Sequence, residues 1–155
     1  TPGTRLTKKR AQANTPETID LHLNLAESLP PASDHPHQLD QVLLNLLANA
    51  RDALDEKEGT SEHTGDWEKC LTVHTRHEDS WLIFEVEDNG IGMDETARQH
   101  IFEPFFTTKE ADKGTGLGLS ISYAIVQNHK GRITCESRKG EGTVFRVELP
   151  MGQAQ

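Results

Sequence analysis

Gly114-Thr115-Gly116-Leu117-Gly118-Leu119-Ser120 runs directly into an apolar helical pattern. Glycine at alternate positions lets a backbone come close to something that side chains would hold away. The helix that follows offers unpaired N–H groups and the positive end of its dipole, a ready place for phosphate. Glycine-rich turns are common, so the stretch gains its weight from two others. Asp88-Asn89-Gly90-Ile91-Gly92-Met93 lies upstream, and Asn45 and Asn49 lie on an earlier helix. Together they point to a nucleotide site.

The rest of the chain organises around these segments. Ile19, Leu21, Leu23 and Leu25 alternate with Asp20, His22 and Asn24, the period of a half-buried strand. Leu29-Pro30-Pro31 ends it, and Ser33 or Asp34 caps the next helix with Pro36 in its first turn. Leu39, Val42, Leu43, Leu46, Leu47, Ala50, Ala53 and Leu54 recur at three- and four-residue steps, which predicts a helix over 37–57 ended by Gly59. Strands are expected over 71–77 and 81–88, paired as an antiparallel hairpin around Glu78-Asp79. A short helix over 94–101 starts at Asp94. Residues 102–116 are rich in Thr, Lys and Gly and are expected to form a mobile loop. A helix over 117–128, with Ile121, Ala124 and Ile125 on one face, ends at Gly131. Strands over 132–137 and 143–149 close the pattern, and Pro150 ends the last. The expected fold class is an α/β (α+β) two-layer sandwich, with a five-stranded mixed sheet and three helices on one face.

The chain has 155 residues, enough for one domain with a real core. A formal net charge of -9 argues against a nucleic-acid surface. Arg5, Lys8, Lys9 and Arg10 form the only basic cluster, in a polar segment over 1–16 expected to be a linker from a missing N-terminal domain. Residues 17–151 would be the folded domain and 152–155 a disordered tail. No apolar run reaches membrane-spanning length. Cys70 and Cys135 have no paired metal spacing and fit a reducing compartment.

Each motif has a plain and a chemical interpretation. Asn45, Asn49 and Asp52 share one side of a helix beside the leucine stripe. The two asparagines are either boundary residues satisfied by local hydrogen bonds, or supply an amide oxygen that helps hold Mg²⁺ against phosphate. Asp88 ends a strand, where its carboxylate suits an adenine amino group, and Gly90 and Gly92 would let the base lie against bare backbone. Phe102-Glu103-Pro104-Phe105-Phe106-Thr107-Thr108-Lys109 is either a satellite apolar cluster or the base of a lid whose Lys109 reaches a terminal phosphate. Gly140-Glu141-Gly142-Thr143 is a hairpin turn, with the Thr143 hydroxyl available to the adenine edge. There is no Gly-x-x-x-x-Gly-Lys-Ser/Thr loop, and the glycines lack the dinucleotide-fingerprint spacing. His74 and His77 point to opposite faces of a strand and make a poor metal pair.

These motifs, in this order, resemble the catalytic and ATP-binding domain of bacterial two-component sensor histidine kinases. That domain belongs to the superfamily shared with gyrase-type topoisomerases, MutL and a heat-shock chaperone. The resemblance spans residues 19–150 and implies the Bergerat-type ATP-binding fold. The Pro-Phe-Phe-Thr-Thr-Lys run at 104–109 and Asn-Ala-x-Asp-Ala-Leu at 49–54 look like the nitrogen-regulation and dicarboxylate-transport subgroup. It implies ATP and Mg²⁺ as cofactors. Asn49 matches the Mg²⁺-binding asparagine and Asn45 the position one turn earlier, a glutamate base in the hydrolysing topoisomerase branch. Asp88 matches the adenine-selecting aspartate, with Gly90, Gly92, Met93 and Thr143 beside the base. Phe105, Thr108 and Lys109 fall in the lid, and Gly114, Thr115, Gly116, Leu117, Gly118 and Leu119 at its phosphate-wrapping end. The implied reaction is transfer of the γ-phosphate to a histidine on the parent's own dimerisation and acceptor domain, for relay to a response regulator. The implied parent is a homodimer, free or membrane-anchored, with this domain on the cytoplasmic side. A serine kinase of the anti-sigma-factor type and a non-catalytic ATP sensor remain open alternatives on the same fold.

Two departures from the family pattern stand out. Asp52 occupies a position where many sensor kinases carry a phosphate-binding lysine or arginine, which leaves that work to Lys109. None of the eight histidines stands in the His-Glu-x-x-x-Pro context of an acceptor helix, so the acceptor is expected elsewhere in the parent.

Overall fold

The computed structural model describes residues 4–9, 20–25, 36–60, 65–104, 106 and 118–150, the first two stretches as backbone. In chain order the elements are β1 (Thr4–Lys9), β2 (Asp20–Leu25), α1 (Pro36–Glu58), β3 (Cys70–Glu78), β4 (Trp81–Asp88), α2 (Glu95–His100), α3 (Gly118–Asn128), β5 (Arg132–Arg138) and β6 (Gly142–Pro150). They form an α/β sandwich with an open sheet ordered β1-β2-β3-β4-β6-β5.

The antiparallel heart of that sheet is the four strands β3, β4, β6 and β5. β2 joins it parallel to β3, and β1 pairs antiparallel with β2, Leu6 opposite Leu23. The sheet therefore has six strands where five were expected. The extra one is Thr4–Lys9, part of the segment interpreted as linker from its polarity. An edge strand is held through backbone N–H and C=O groups, and lysines suit an exposed edge. Polarity was thus the wrong criterion there.

One face of the sheet carries the core. Leu82, Phe84, Val86 and Asp88 on β4 stand opposite Leu149, Val147, Phe145 and Thr143 on β6. Ile133 and Cys135 on β5 and Leu71 and Val73 on β3 extend the same face. α1 lays Val42, Leu46, Ala50 and Leu54, all buried and four residues apart, across it. Leu39, Leu43 and Leu47 pack against this cluster from the side. Across the opposite face, Glu85 accepts from Arg76 at 3.0 Å and Arg146 at 2.9 Å. Burial works against the Glu85 carboxylate, but the two guanidiniums outweigh it and hold its pKa below the usual range.

α3 is rotated from expectation. Ser122, Ile125 and Val126 face the core, whereas Ile121 is 40% exposed and Ala124 is exposed. The buried position of a serine is the physical reason. Its hydroxyl donates to the Gly118 carbonyl at 3.0 Å and accepts from Asn45 at 3.1 Å, so no polar group is stranded. α2 is capped by Asp94, whose carboxylate accepts from the Ala97 N–H, as expected. No described helix is long and apolar enough to cross a membrane.

Candidate nucleotide site

Asp88 ends β4 on the inner face, directly opposite Thr143. It is only 4% exposed. Its Oδ1 accepts the Gly90 N–H at 2.8 Å. Burial pushes the carboxyl up, to about 7, against the Gly90 N–H; Glu87 pushes the same way as burial, and the Thr143 N–H and the Lys57 ammonium oppose it. A carboxylate has about four acceptor sites, so two backbone donors leave capacity for a ligand amino group.

The glycines after Asp88 have a packing role that the sequence did not show. A Cβ at Gly90 would lie 2.6 Å from the Ala53 carbonyl carbon, and one at Gly92 would lie 1.9 Å from the Arg138 carbonyl oxygen. Gly92 also has φ +67°, a backbone region that favours glycine. Their side-chain directions are thus filled by the protein's own backbone. Glycine here lets the β4–α2 loop sit between α1 and the β5–β6 turn. The Ile91 N–H donates to the Ala53 carbonyl at 3.0 Å and fixes the loop to α1.

Ser137 is the residue that sequence reasoning missed. Its Oγ accepts the Met93 N–H at 2.8 Å, donates to the Gly142 carbonyl at 3.0 Å, and lies 2.8 Å from Thr143 Oγ1. A hydroxyl has one proton. With that proton on Gly142, Thr143 must donate to Ser137, which leaves the Thr143 oxygen as an acceptor. The available signal was register: Ser137 continues the inward alternation of Ile133 and Cys135 and pairs with Thr143. A cavity of about 450 Å³ reaches Asp88, Ser137 and Thr143 beside Arg98 and Cys135. Burial pushes the Cys135 thiol up to about 12, so it is no nucleophile.

The far end of the site lies where α1 meets α3. Asn45 Nδ2 donates to the Gly118 carbonyl and to Ser122 Oγ, both at 3.1 Å. The Asn45 amide nitrogen is thus satisfied, but by long-range bonds between α1 and α3 rather than by local ones. Asn49 is half-buried one turn on, and Asp52 lies 3.5 Å from the Arg51 guanidinium. Leu119 packs against the core cluster. Phe105, Thr108, Lys109, Gly114, Thr115, Gly116 and Leu117 lie outside the described residues, as do residues 105 and 107–116 of the expected mobile loop over 102–116; at its start Phe102 and Phe106 pack against the core cluster. Among the described residues no cluster of His, Cys, Asp and Glu is arranged to hold a metal ion.

Residues 34–153 match the family described as histidine kinase-, DNA gyrase B-, and HSP90-like ATPase. The chain belongs to this family. Over 143 residues it is 39% identical to sporulation kinase E of Bacillus subtilis, covering 92% of this chain and 18% of that protein. Over 136 residues it is 40% identical to sensor kinase CckA of Brucella abortus, covering 85% and 14%. The chain thus spans less than a fifth of the length of these relatives. Its fold matches the nucleotide-free catalytic domain of histidine kinase ThkA with a TM-score of 0.64 and 32% identity, over 85% of this chain and 80% of that one. Full-length ShkA in complex with AMPPNP aligns with a TM-score of 0.70 and 26% identity, over 88% and 26%. The chain is a histidine-kinase-like ATPase domain of the kind that sensor kinases carry.

Proposed function

We propose that this domain binds ATP with its adenine amino group on Asp88, and donates the γ-phosphate to a histidine on a separate helical domain of a sensor kinase. The observation that carries this reading is the buried Asp88 carboxylate at a strand end, with spare acceptor capacity, beside the Thr143 hydroxyl. An adenine amino group has two hydrogens to give, whereas a guanine carbonyl has none. Family membership and the AMPPNP in the ShkA structure support the choice of nucleotide.

Asn49 offers a hard, neutral amide oxygen to Mg²⁺, which suits an ion held chiefly by phosphate oxygens and water. Bound there, Mg²⁺ would neutralise phosphate charge. Lys109 is proposed to meet the terminal phosphate in place of the absent basic residue at position 52, and residues 114–118 to wrap the phosphate chain. Transfer breaks the bond between the γ-phosphorus and the bridging oxygen and forms one to an imidazole nitrogen, releasing ADP. Such reactions depend on positioning and charge neutralisation. Asn45 cannot act as the base of a hydrolytic reaction, so water is a poor acceptor here. The partners proposed are the parent's dimeric acceptor domain and a response regulator, on the cytoplasmic side of any membrane.

The test is transfer in trans. With radiolabelled ATP the domain alone should bind nucleotide, hydrolyse it very slowly and stay unlabelled. Added to the parent's acceptor domain, it should place label on histidine, labile to acid and stable to base. Acid-stable label on the domain itself would favour the serine-kinase alternative, and tight ATP binding without transfer would favour a sensor.

A further inference from the structure

Residues 91–93 of the β4–α2 loop run beside residues 137–140 of β5 and its turn, and three contacts close the seam between them. The Gly140 N–H donates to the Ile91 carbonyl. Gly92 lies against the Arg138 carbonyl with no room for a Cβ. The Met93 N–H donates to Ser137 Oγ at 2.8 Å. The first two contacts are made by backbone and glycine alone. Ser137 supplies the one side chain among the three.

The same hydroxyl connects the seam to the base end of the site. Ser137 Oγ donates to the Gly142 carbonyl at 3.0 Å and lies 2.8 Å from Thr143 Oγ1. A hydroxyl has one proton and two lone pairs, so its three contacts use all of them. Thr143 is buried and stands opposite Asp88 in the β4–β6 register and opposite Ser137 in the β5–β6 register. Its N–H donates to the Asp88 carboxylate. Asp88, Thr143 and Ser137 thus form one row across three strands, with Thr143 held from both sides. The hairpin tip is also tied to α1, where the buried Lys57 donates to the Gly140 carbonyl at 2.8 Å. That bond fixes the tip but not the Thr143 hydroxyl, which among the described residues is hydrogen-bonded by Ser137 alone.

We propose that Ser137 is a positioning residue for base selection: its hydroxyl pins the Thr143 hydroxyl beside Asp88 and sets the β4–α2 loop against β6, so that Asp88 and Thr143 read the amino edge of adenine together. The inference rests on the ATP reading above. Ser137 acts through Thr143 and the loop, and need not touch the nucleotide. Alanine at this place would take a partner from the Met93 N–H and the Gly142 carbonyl and free the Thr143 hydroxyl to turn.

The test compares ATP with ITP, whose base differs only at that edge: a carbonyl replaces the amino group and N1 carries a proton. Affinities are measured in the whole chain with Mg²⁺, ATP by calorimetry and ITP by competition. Thermal melts establish that each variant is folded at the temperature used. The wild type should prefer ATP. Ser137→Ala should weaken ATP about fivefold or more and ITP by less, so that the ATP-to-ITP ratio narrows. Ser137→Thr keeps the hydroxyl and should keep the wild-type ratio. Ser137→Cys is close in volume but a weak donor and acceptor; it should fall between the two, and it replaces the alanine variant if that one does not fold. In a Thr143→Val background the hydroxyl to be positioned is gone, so Ser137→Ala should narrow the ratio further by less than about twofold. A wild-type ratio in folded Ser137→Ala and Ser137→Cys overturns the inference while leaving the ATP reading intact. Equal loss of ATP and ITP does the same, as does full narrowing in the Thr143→Val background. A wild-type chain that binds no adenine nucleotide, or binds ITP as well as ATP, overturns the reading on which the inference rests.

Discussion

The proposed base end and the proposed phosphate end of this site are built on different principles. At the base end Asp88, Gly92, Ser137 and Thr143 come from β4, the β4–α2 loop, β5 and β6, and are fixed by strand register and short hydrogen bonds. At the phosphate end the described contacts are those of one asparagine on α1 with the first turn of α3. The first depends on a sheet whose register cannot slip without turning the core outward. The second depends on how two helices dock. The proposed base pocket is thus preorganised by the fold, and perturbing the proposed phosphate end is expected to leave it intact.

The largest blow to the base end should be Gly92→Ala. The added carbon would lie 1.9 Å from the Arg138 carbonyl oxygen, at φ +67°, so the loop or the turn must move. A loss of about 4 kcal/mol or more is expected, among the severe class of single substitutions. Denaturant titration would reveal it, and a Gly92→Ala protein of near-native stability would show the loop to be free of the turn.

The next effect is electrostatic and has a definite sign. The Asp88 pKa in the folded protein, about 7, lies above its ordinary value near 4. The folded state therefore holds the proton more tightly. The associated stability is fully present below about pH 4 and is lost as pH rises through 7, on the order of 4 kcal/mol at most. Asp88→Asn removes this slope and should equal or exceed wild-type stability at pH 8, since an amide oxygen still accepts from Gly90. Parallel melts from pH 4 to pH 8 would expose the difference, and identical slopes in the two proteins would contradict it. The same variant should bind ATP at least tenfold more weakly, because a charged hydrogen bond in a dry pocket contributes roughly 1.5–3 kcal/mol. Calorimetry at pH 8 returning wild-type affinity would remove Asp88 from base selection.

How much of this was legible in the sequence divides along the same line. The helix over Pro36–Glu58, the β3–β4 hairpin and the order of motifs were legible because apolar period and turn residues are local signals. Asp88 was singled out because Gly92 and the downstream glycine loop give weight to what is otherwise a common Asp-Asn-Gly turn. Ser137 and Lys57 were not, because their roles arise from register and from the approach of segments 44 and 83 residues away. The crowding of Gly90 and Gly92 by the protein's own backbone was invisible until the loop is seen between α1 and the turn. The rotation of α3 escaped for a related cause. Apolarity pointed to Ile121, but hydrogen bonds to Asn45 and Gly118 let Ser122 take the buried place.

That last contact gives the smallest expected effect and the sharpest test of independence between the two ends. Asn45→Ala removes the amide bonds to Gly118 and Ser122, while Ser122 keeps its own bond to Gly118. No buried group is left fully unpaired, so the loss should be about 1 kcal/mol, or roughly 3 °C in Tm for a chain of this size. AMP reaches the base end but lacks the terminal phosphates. Its affinity should therefore be unchanged in Asn45→Ala, while ATP affinity falls. Ser122→Ala should behave alike, and the double variant should lose less than the sum of the two, since both act on one helix contact. A fall in AMP affinity equal to that in ATP affinity would mean that α1 and α3 set the base end as well, and the division drawn between the two ends would not hold.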